Sequence, residues 1–301
     1  MDLSTDPLAR LDEVAWGTLH HAYGPAHDVP DQLRALRATD ERIRHRALGQ
    51  LLGNVYHQGT RWSASSQVVP FLVALADDRE TLDRAGVVTL LRALVIGARR
   101  DDELPFNPRR AFAGGDGISE EQADLVARHL DAGDLFAQES LADVADLAPV
   151  RWAADAFHAG ARHTDSYLRW LADPHSRLAG LAAELLAWFP PTERVVSALV
   201  AVPDDEARSA ARASANLTLG HCPTEAVQID TRLRDLLLAP GPAVRVTAAV
   251  ALAYRNGELL PDRALDILVD ARTTDPGVDP PGWDRSLRGF VALALQRLEL
   301  A

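Results

Sequence analysis

The sequence predicts an all-α fold of the α-solenoid class, a superhelix of stacked helical hairpins with about 15–16 helices in total. Two observations support this prediction. A motif of an acidic or proline turn, an arginine, and then small and aliphatic residues returns about every 31 to 40 residues, a period typical of stacked helical hairpins. Helix-type apolar spacing dominates the chain, and no alternating run of β-branched residues is bounded by an Asn-Gly or Asp-Gly turn.

Four copies of the motif show what one hairpin contributes. In the first copy, Arg44 precedes the apolar residues Ala47 and Leu51. The copies occupy residues 40–52, 173–185, 203–211 and 240–253. Because one hairpin cannot bury its apolar face alone, we expect successive copies to share a continuous hydrophobic core. The predicted organisation is a single domain over residues 1–301, with an irregular insertion near 98–118 and a second near 273–283, where proline and glycine accumulate.

The predicted elements follow in order along the chain. The first helix covers residues 7–21, because Pro7 suits a first turn and the apolar residues after it share one face. Short-then-long helix pairs are predicted over 31–38 with 40–56 and over 65–76 with 79–96, each with a capping residue. Beyond the insertion, Ser119 and Gln122 predict a capping box. Further pairs are predicted near 119–146, 149–172, 174–201, 203–238 and 240–271, with a last helix over 284–298. The pattern does not fix the register over 131–160.

The net charge of the chain limits the classes of partner that it can bind. The formal net charge is −12, and all 31 basic residues are arginine, a usage that we attribute to a GC-rich coding sequence. Such a surface repels nucleic acid and anionic lipid, since phosphate binding depends on clustered cations. We therefore expect a neutral or basic protein or peptide as partner, with no nucleic acid and no membrane. The sequence indicates no oligomeric state.

Cysteine content and the amino terminus bear on the compartment. The single cysteine, Cys222, excludes an internal disulfide and a thiolate-rich metal site. Residues 1–19 carry four acidic side chains and lack the basic and apolar regions of an export signal. The longest apolar runs, such as 68–76, are shorter than the roughly 20 residues that cross a bilayer. We expect a cytoplasmic protein.

The amino-terminal third carries a distinctive set of residues. They are Trp16, His20, Tyr23, Gly24, the Asp-Val-Pro sequence at 28–30, the His-Gln-Gly-Thr sequence at 57–60 and the Val-Pro-Phe-Leu sequence at 69–72. Together with the alternation of shorter and longer helices, this set is similar to uncharacterised HEAT-repeat proteins that are common in actinobacteria. The resemblance implies an armadillo-like HEAT fold over most of the chain, and it implies no particular activity.

The best local candidate for a binding site surrounds a glycine turn that follows a long helix. Its side chains combine hydrogen-bonding, charged and stacking capacity. The predicted binding residues are His20, Tyr23, His57, Gln58, Thr60, Arg61 and Trp62. A structural role is the alternative, since a helix that ends in glycine before a serine-rich cap uses such residues to satisfy its backbone groups.

A small-ligand or metal site in the same region is a further alternative, because five of the ten histidines fall in the first 57 residues. Such a site would use His20, Tyr23, His57 and Trp62. The spacing argues against a metal, because no histidine pair stands four residues apart with a glutamate between them, and no cysteine completes a tetrahedron. We expect no metal and no cofactor.

Trp152 and Asp155 prompt an enzymatic alternative, because they stand one turn apart on a predicted helix. HEAT-like DNA glycosylases use aromatic side chains and a carboxylate on a concave helical surface to release alkylated purines, and this pair resembles that arrangement. The acidic balance and the missing lysines depart from that family, which needs a cationic groove for the duplex. The leading hypothesis is therefore a non-enzymatic scaffold that binds a protein or peptide through its concave face, of regulatory or immunity type.

Overall fold

The computed structural model describes residues 6–134, 141 and 144–300, and the structural statements below concern these residues. Within them the chain forms 15 α-helices and two very short two-stranded sheets, so the predicted all-α class is confirmed. The chain divides into two compact units. Unit 1 comprises the described parts of Met1–Ala98 and Asn107–His163, and unit 2 comprises Arg99–Phe106 with the described part of Thr164–Ala301.

Unit 1 contains the first seven described α-helices and both sheets. Its helices are α1 (Val29–Ala35), α2 (Glu41–Val55), α3 (Ser63–Asp77), α4 (Arg84–Val95), α5 (Pro108–Ala111), α6 (Glu120–Ala132) and α7 (Leu147–Ala161). Its strands are β1 (His20–His21), β2 (Gly24–Pro25), β3 (Tyr56–His57) and β4 (Thr60–Arg61), paired antiparallel as β1–β2 and β3–β4. Helix α3 packs against α4 and α7, α6 packs against α7, and β1 lies against α3 and α6. Part of the predicted pair near 119–146, residues 135–140 and 142–143, lies outside the described residues.

Polar side chains fix where several of these helices begin. At the start of α2, the Asp40 carboxylate accepts a hydrogen bond from the backbone N–H of Arg42 (2.8 Å). The predicted capping box at the start of α6 is confirmed. The Ser119 hydroxyl accepts from the backbone N–H of Gln122 (3.2 Å), and the Gln122 side chain accepts from the backbone N–H of Ser119 (3.0 Å). Local sequence therefore sets the amino-terminal ends of α2 and α6.

The predicted helix over residues 7–21 is wrong. The segment instead contains two 3₁₀ turns, Leu11–Glu13 and Trp16–Thr18, and then enters β1. The indole N–H of Trp16 donates to the carbonyl oxygen of Leu11 (2.8 Å). That carbonyl is an acceptor that a continuing helix would pair with a backbone N–H, so the tryptophan side chain replaces a helical hydrogen bond. Apolar spacing alone did not reveal this competition.

Unit 2 contains the other eight α-helices of the described chain. They are α8 (Thr164–Leu171), α9 (Ser176–Ala187), α10 (Glu193–Ala201), α11 (Ser209–His221), α12 (Val227–Leu236), α13 (Pro242–Asn256), α14 (Asp262–Asp270) and α15 (Leu287–Arg297). Helix α11 packs between α9 and α13, and its residues from Ala211 to His221 are all buried. Small residues allow this proximity, since a Cβ on Gly220 would lie 2.8 Å from the Cα of Ala251. No helix in the described part of the chain is both long and apolar enough to cross a bilayer.

The arginine of the recurrent motif caps the end of an earlier helix. Arg44 donates to the carbonyl oxygens of Ala38 and Thr39 (2.8 Å each), just beyond α1. Arg245 makes the equivalent pair of bonds to the carbonyl oxygens of Ala239 and Pro240, beyond α12. Arg208 differs, because it donates to the carbonyl oxygens of Leu171 and Asp173 at the end of α8, and α9 and α10 lie between α8 and Arg208. The last carbonyls of a helix lack intrahelical donors and lie at the negative end of its dipole, so a cationic fork suits them. At Arg44 and Arg245 the arginine of the motif thus caps the helix that immediately precedes its own.

Segments outside the regular helices are tied into unit 2 by polar contacts. Asp101 is 4% exposed, and both of its carboxylate oxygens lie within 2.9 Å of Arg285 Nε. In the irregular segment 273–283, the indole N–H of Trp283 donates to the hydroxyl of Ser214 on α11 (2.9 Å). These contacts hold two irregular stretches against the helices of unit 2.

Candidate functional site

Two β-hairpins carry most of the predicted binding residues. The first joins β1 to β2 and carries His20 and Tyr23, and the second joins β3 to β4. Gln58 and Gly59 form the two-residue turn of the second hairpin, with φ angles of 49° and 88°. Positive φ at both positions is the geometry of a type I′ turn, which glycine adopts freely and glutamine only under strain. The hairpin therefore holds Gln58 in a strained, exposed position.

The structure brings Tyr23 and His57 together. The Tyr23 hydroxyl lies 3.3 Å from Nδ1 of His57, and the ring centroids are 5.3 Å apart in an edge arrangement. The backbone N–H of Ala22 donates to the carbonyl oxygen of Asn54 (3.0 Å), which ties the first hairpin to the end of α2. Tyr23 remains 66% exposed. The two hairpin tips thus present one aromatic and polar edge to solvent.

A buried histidine that was not among the predicted binding residues orders the first hairpin. Nδ1 of His21 accepts a hydrogen bond from the backbone N–H of Tyr23 (3.1 Å), so Nε2 carries the proton and donates to Asp28 (2.8 Å). The other carboxylate oxygen of Asp28 accepts from Gln32 (2.7 Å) and Asn54 (3.0 Å). Because both nitrogens of His21 are engaged, this imidazole positions the hairpin and is not free to act as a base.

Arg61 and Trp62 make internal contacts. Arg61 is 5% exposed, and its guanidinium donates to the carbonyl oxygens of Gly59 (3.3 Å) and Ile96 (3.5 Å). The Trp62 ring stacks on Trp152, with centroids 5.4 Å apart and an angle of 23° between the planes. These contacts join the second hairpin to α4 and α7. Of the residues predicted around this turn, Gln58 is exposed, while His57 and Thr60 are half-buried.

A cavity of about 480 Å³, the unit 1 cavity, lies between α3, α6 and α7. Helix α3 supplies neutral polar groups, α6 supplies acidic groups, and α7 with the two residues after it supplies a mixture of charges. The residues that matter for the chemistry are Ser66, Glu120, Asp124, Arg151, Asp155 and Arg162. Trp152 and Asp155 both lie on α7, and both line this cavity.

Asp155 is already engaged within the protein. Its Oδ2 lies 3.3 Å from Nε of Arg151, whose Nη1 also donates to the carbonyl oxygen of Ile118 (2.9 Å). Burial raises the pKa of Asp155 above its ordinary value, and the Arg151 guanidinium opposes that effect. Trp152 is 3% exposed and covered by Trp62. A purine stacked on Trp152 would therefore have to displace Trp62 from the core.

Asp124 has a different environment from Asp155. It makes no hydrogen bond and no ion pair with any described residue. Burial raises the pKa of Asp124, and the neighbouring carboxylate of Glu120 raises it further. Burial also lowers the pKa of His20, which therefore stays neutral near pH 7 and does not neutralise Asp124. Asp124 was not predicted, and no local signal distinguishes it from the other acidic residues of α6.

Three features of the unit 1 cavity bear on its chemistry. Its serine hydroxyls form no hydrogen bond with an imidazole or carboxylate in the described residues, so no activated nucleophile is formed. Across the described chain, no group of three His, Cys, Asp or Glu side chains is placed to hold a metal ion. Hydrogen-bonding and charged groups of both signs line the cavity, and they can hold a polar ligand.

Fold and site together define an all-helical protein with a polar, ligand-sized cavity in its first unit. Comparisons with protein-family models, with curated proteins and with solved structures gave no match to the chain.

Proposed function

We propose that the chain is a non-enzymatic scaffold of the HEAT-like α-solenoid class that binds a segment of a protein or peptide partner. In this proposal the hairpins stack into a superhelix, and the unit 1 cavity lies on its concave face. The arginine cap supports a repeat architecture, because the same device joins two successive helices at Arg44 and again at Arg245.

The observation that carries the proposal is the unit 1 cavity. Its volume of about 480 Å³ lies within the range of ordinary ligand sites, and three different helices contribute hydrogen-bonding groups to it. Side chains that serve only packing would be apolar here, whereas the half-buried Asp124 makes no hydrogen bond or ion pair within the described chain. A cavity of this kind fits one or two side chains of a bound peptide. The exposed Tyr23 and His57 edge offers a second contact.

Charge favours a neutral or basic partner. The chain carries a formal net charge of −12, which attracts cationic segments and repels polyanions. A regulatory or immunity-type interaction suits such a surface, because both depend on recognition without turnover. The proposal assigns no cofactor.

Filling the cavity tests the proposal. Ser66→Trp places a large side chain in the cavity, and Gln50→Trp places the same side chain on the exposed face of α2 as a matched control. We expect the wild-type protein and Gln50→Trp to capture the same partner from the source lysate, while Ser66→Trp loses it. Far-UV circular dichroism and thermal melting establish that both variants are folded.

Two results would overturn the proposal. One is equal capture of the partner by Ser66→Trp and Gln50→Trp, which would place the contact elsewhere. The other is turnover of a small molecule by the purified protein with no macromolecular partner retained, which would make the chain an enzyme.

A further inference from the structure

The charges that line the unit 1 cavity are segregated. Helix α6 contributes Glu120 and Asp124 and no cation. Asp155 faces the same space from α7, and repulsion from the carboxylate of Glu120 contributes to its raised pKa. The cation Arg151 is held by Asp155 and a backbone carbonyl, while Arg162 follows Asp155 by seven residues, about 10 Å along a helix axis. One end of the cavity therefore has an excess of negative charge.

The cationic groups near the acidic end offset that charge only in part, because the charge of Arg128 lowers the pKa of Asp124 by less than burial raises it. Arg128 is exposed and forms no ion pair with Asp124 in the described residues. The side chains of His158 and His163 lie farther along α7 and beyond it, and burial keeps the pKa of His163 low. Of the three carboxylates at this end, Asp155 is paired with Arg151, whereas Glu120 and Asp124 form no ion pair within the described residues.

His20 provides a second observation near Asp124, although its side chain does not line the cavity. It is 6% exposed, and its Nδ1 has no hydrogen-bond partner among the described residues. Its strand, β1, lies against both α3 and α6, and the backbone N–H of His20 donates to Ser63 (2.9 Å), a residue that lines the cavity. A buried polar atom without a partner is rare in folded proteins and calls for a specific explanation. Here the carboxylates of Asp131 and Asp124 lie close enough to raise the pKa of His20 against the larger effect of burial.

We infer that the acidic wall of Glu120, Asp124 and Asp155 receives the guanidinium or ammonium group of a basic side chain carried by a peptide partner. The inference rests on the proposed function, and it assigns the chemistry of the segment that the unit 1 cavity holds. A planar guanidinium donates up to five hydrogen bonds and can bridge two carboxylates, which matches acceptors supplied by two helices.

The test compares two probes that differ in charge and hardly in shape. The peptide acetyl-Ala-Arg-Ala-amide and its citrulline counterpart are titrated into the full chain by isothermal calorimetry, with acetyl-arginine-amide as the single-residue arm. We expect the arginine peptide to bind, the citrulline peptide to bind at least about fivefold more weakly, and the single residue to bind more weakly than the peptide.

Two variants locate the binding site. Asp124→Asn removes the uncompensated charge, and Glu121→Gln removes the neighbouring charge on α6 that does not line the cavity. We expect Asp124→Asn to weaken the binding of the arginine peptide about fivefold or more. Glu121→Gln should leave the affinity for that peptide unchanged. Affinity of the wild type should fall as the pH is lowered through the raised pKa of Asp124, and this fall should be absent or smaller in Asp124→Asn.

Asp124→Asn should remain folded. Because the pKa of Asp124 is raised in the folded state, the ionised carboxylate destabilises the fold at neutral pH, and its removal should keep or raise the melting temperature. Equal binding of arginine and citrulline peptides would overturn the inference, and so would equal losses in Asp124→Asn and Glu121→Gln. If the arginine peptide does not bind while Ser66→Trp still loses the partner, the assignment of a basic side chain to the acidic wall is wrong and the proposed function stands. If the probes bind while Ser66→Trp keeps the partner, the cation site stands and the proposed function fails.

Discussion

Glycine-to-alanine substitutions on two helices of unit 1 should change stability in opposite directions. Gly160 lies on α7 against Val95 of α4, and a Cβ on Gly160 would come within 2.5 and 2.6 Å of the two Val95 methyl carbons. Ordinary contact begins at 3.4 Å. Valine is stiff at χ1, and Val95 is fully buried, so α7 would have to move away from α4 by about 1 Å.

Gly49 is the matched control on the exposed face of α2, where a Cβ would meet nothing within 4 Å. Alanine at Gly49 should stabilise the fold by about 0.5–1 kcal/mol, because glycine loses more backbone freedom in a helix. Overpacking at Gly160 costs about 1–3 kcal/mol, and the same gain in helix propensity offsets part of it. The expected net change at Gly160 is a loss of about 1–2 kcal/mol.

Urea unfolding followed by far-UV circular dichroism measures both changes on the full chain. Gly160→Ala should unfold at lower urea and Gly49→Ala at higher urea than the wild type. In thermal melts each kcal/mol corresponds to about 2–4 °C for a unit of this size. Equal stabilisation by both substitutions would show that α7 does not approach α4 at Gly160, and the reasoning about close packing behind the unit 1 cavity would be refuted.

Two further substitutions test other parts of the structure. Leu252→Ala on α13, where the side chain is completely buried, should lower the free energy of unfolding by about 2–5 kcal/mol in urea titrations. A value near zero would place Leu252 outside the core. Gln58→Asn should raise stability by about 0.5–1 kcal/mol, since Asn-Gly is the preferred pair for a turn with two positive φ angles. A loss of stability in thermal melts would contradict the assigned turn.

The sequence was sufficient for the long, periodic helices. The helix predicted over 40–56 is α2, and the last predicted helix, 284–298, is α15 with somewhat tighter bounds. Periodicity failed where a side chain competed for the backbone, as Trp16 does at the Leu11 carbonyl. The two hairpins escaped prediction because strands of two residues are too short to show alternation, and Gln-Gly is not a usual turn pair.

The candidate site was predictable only in its local parts. Trp152 and Asp155 were linked through their spacing on one helix, and the structure places both on α7. The contact between Tyr23 and His57 spans 34 residues, and it depends on how the two hairpins pack. Asp124 lies in the cavity that α3, α6 and α7 enclose, and only the folded structure shows that place. Burial and missing counterions are tertiary properties, and a single sequence does not encode them at any one position.

The ion pair between Asp101 and Arg285 joins residues that are 184 positions apart, although both belong to unit 2. During synthesis the acidic partner emerges from the ribosome long before the basic one, so this contact closes only after residue 285 has been translated. A fragment that ends at residue 163 carries the carboxylate without its counterion, and a fragment that starts at residue 164 carries the reverse. Recovery of unit 2 from two such pieces therefore requires their reassociation.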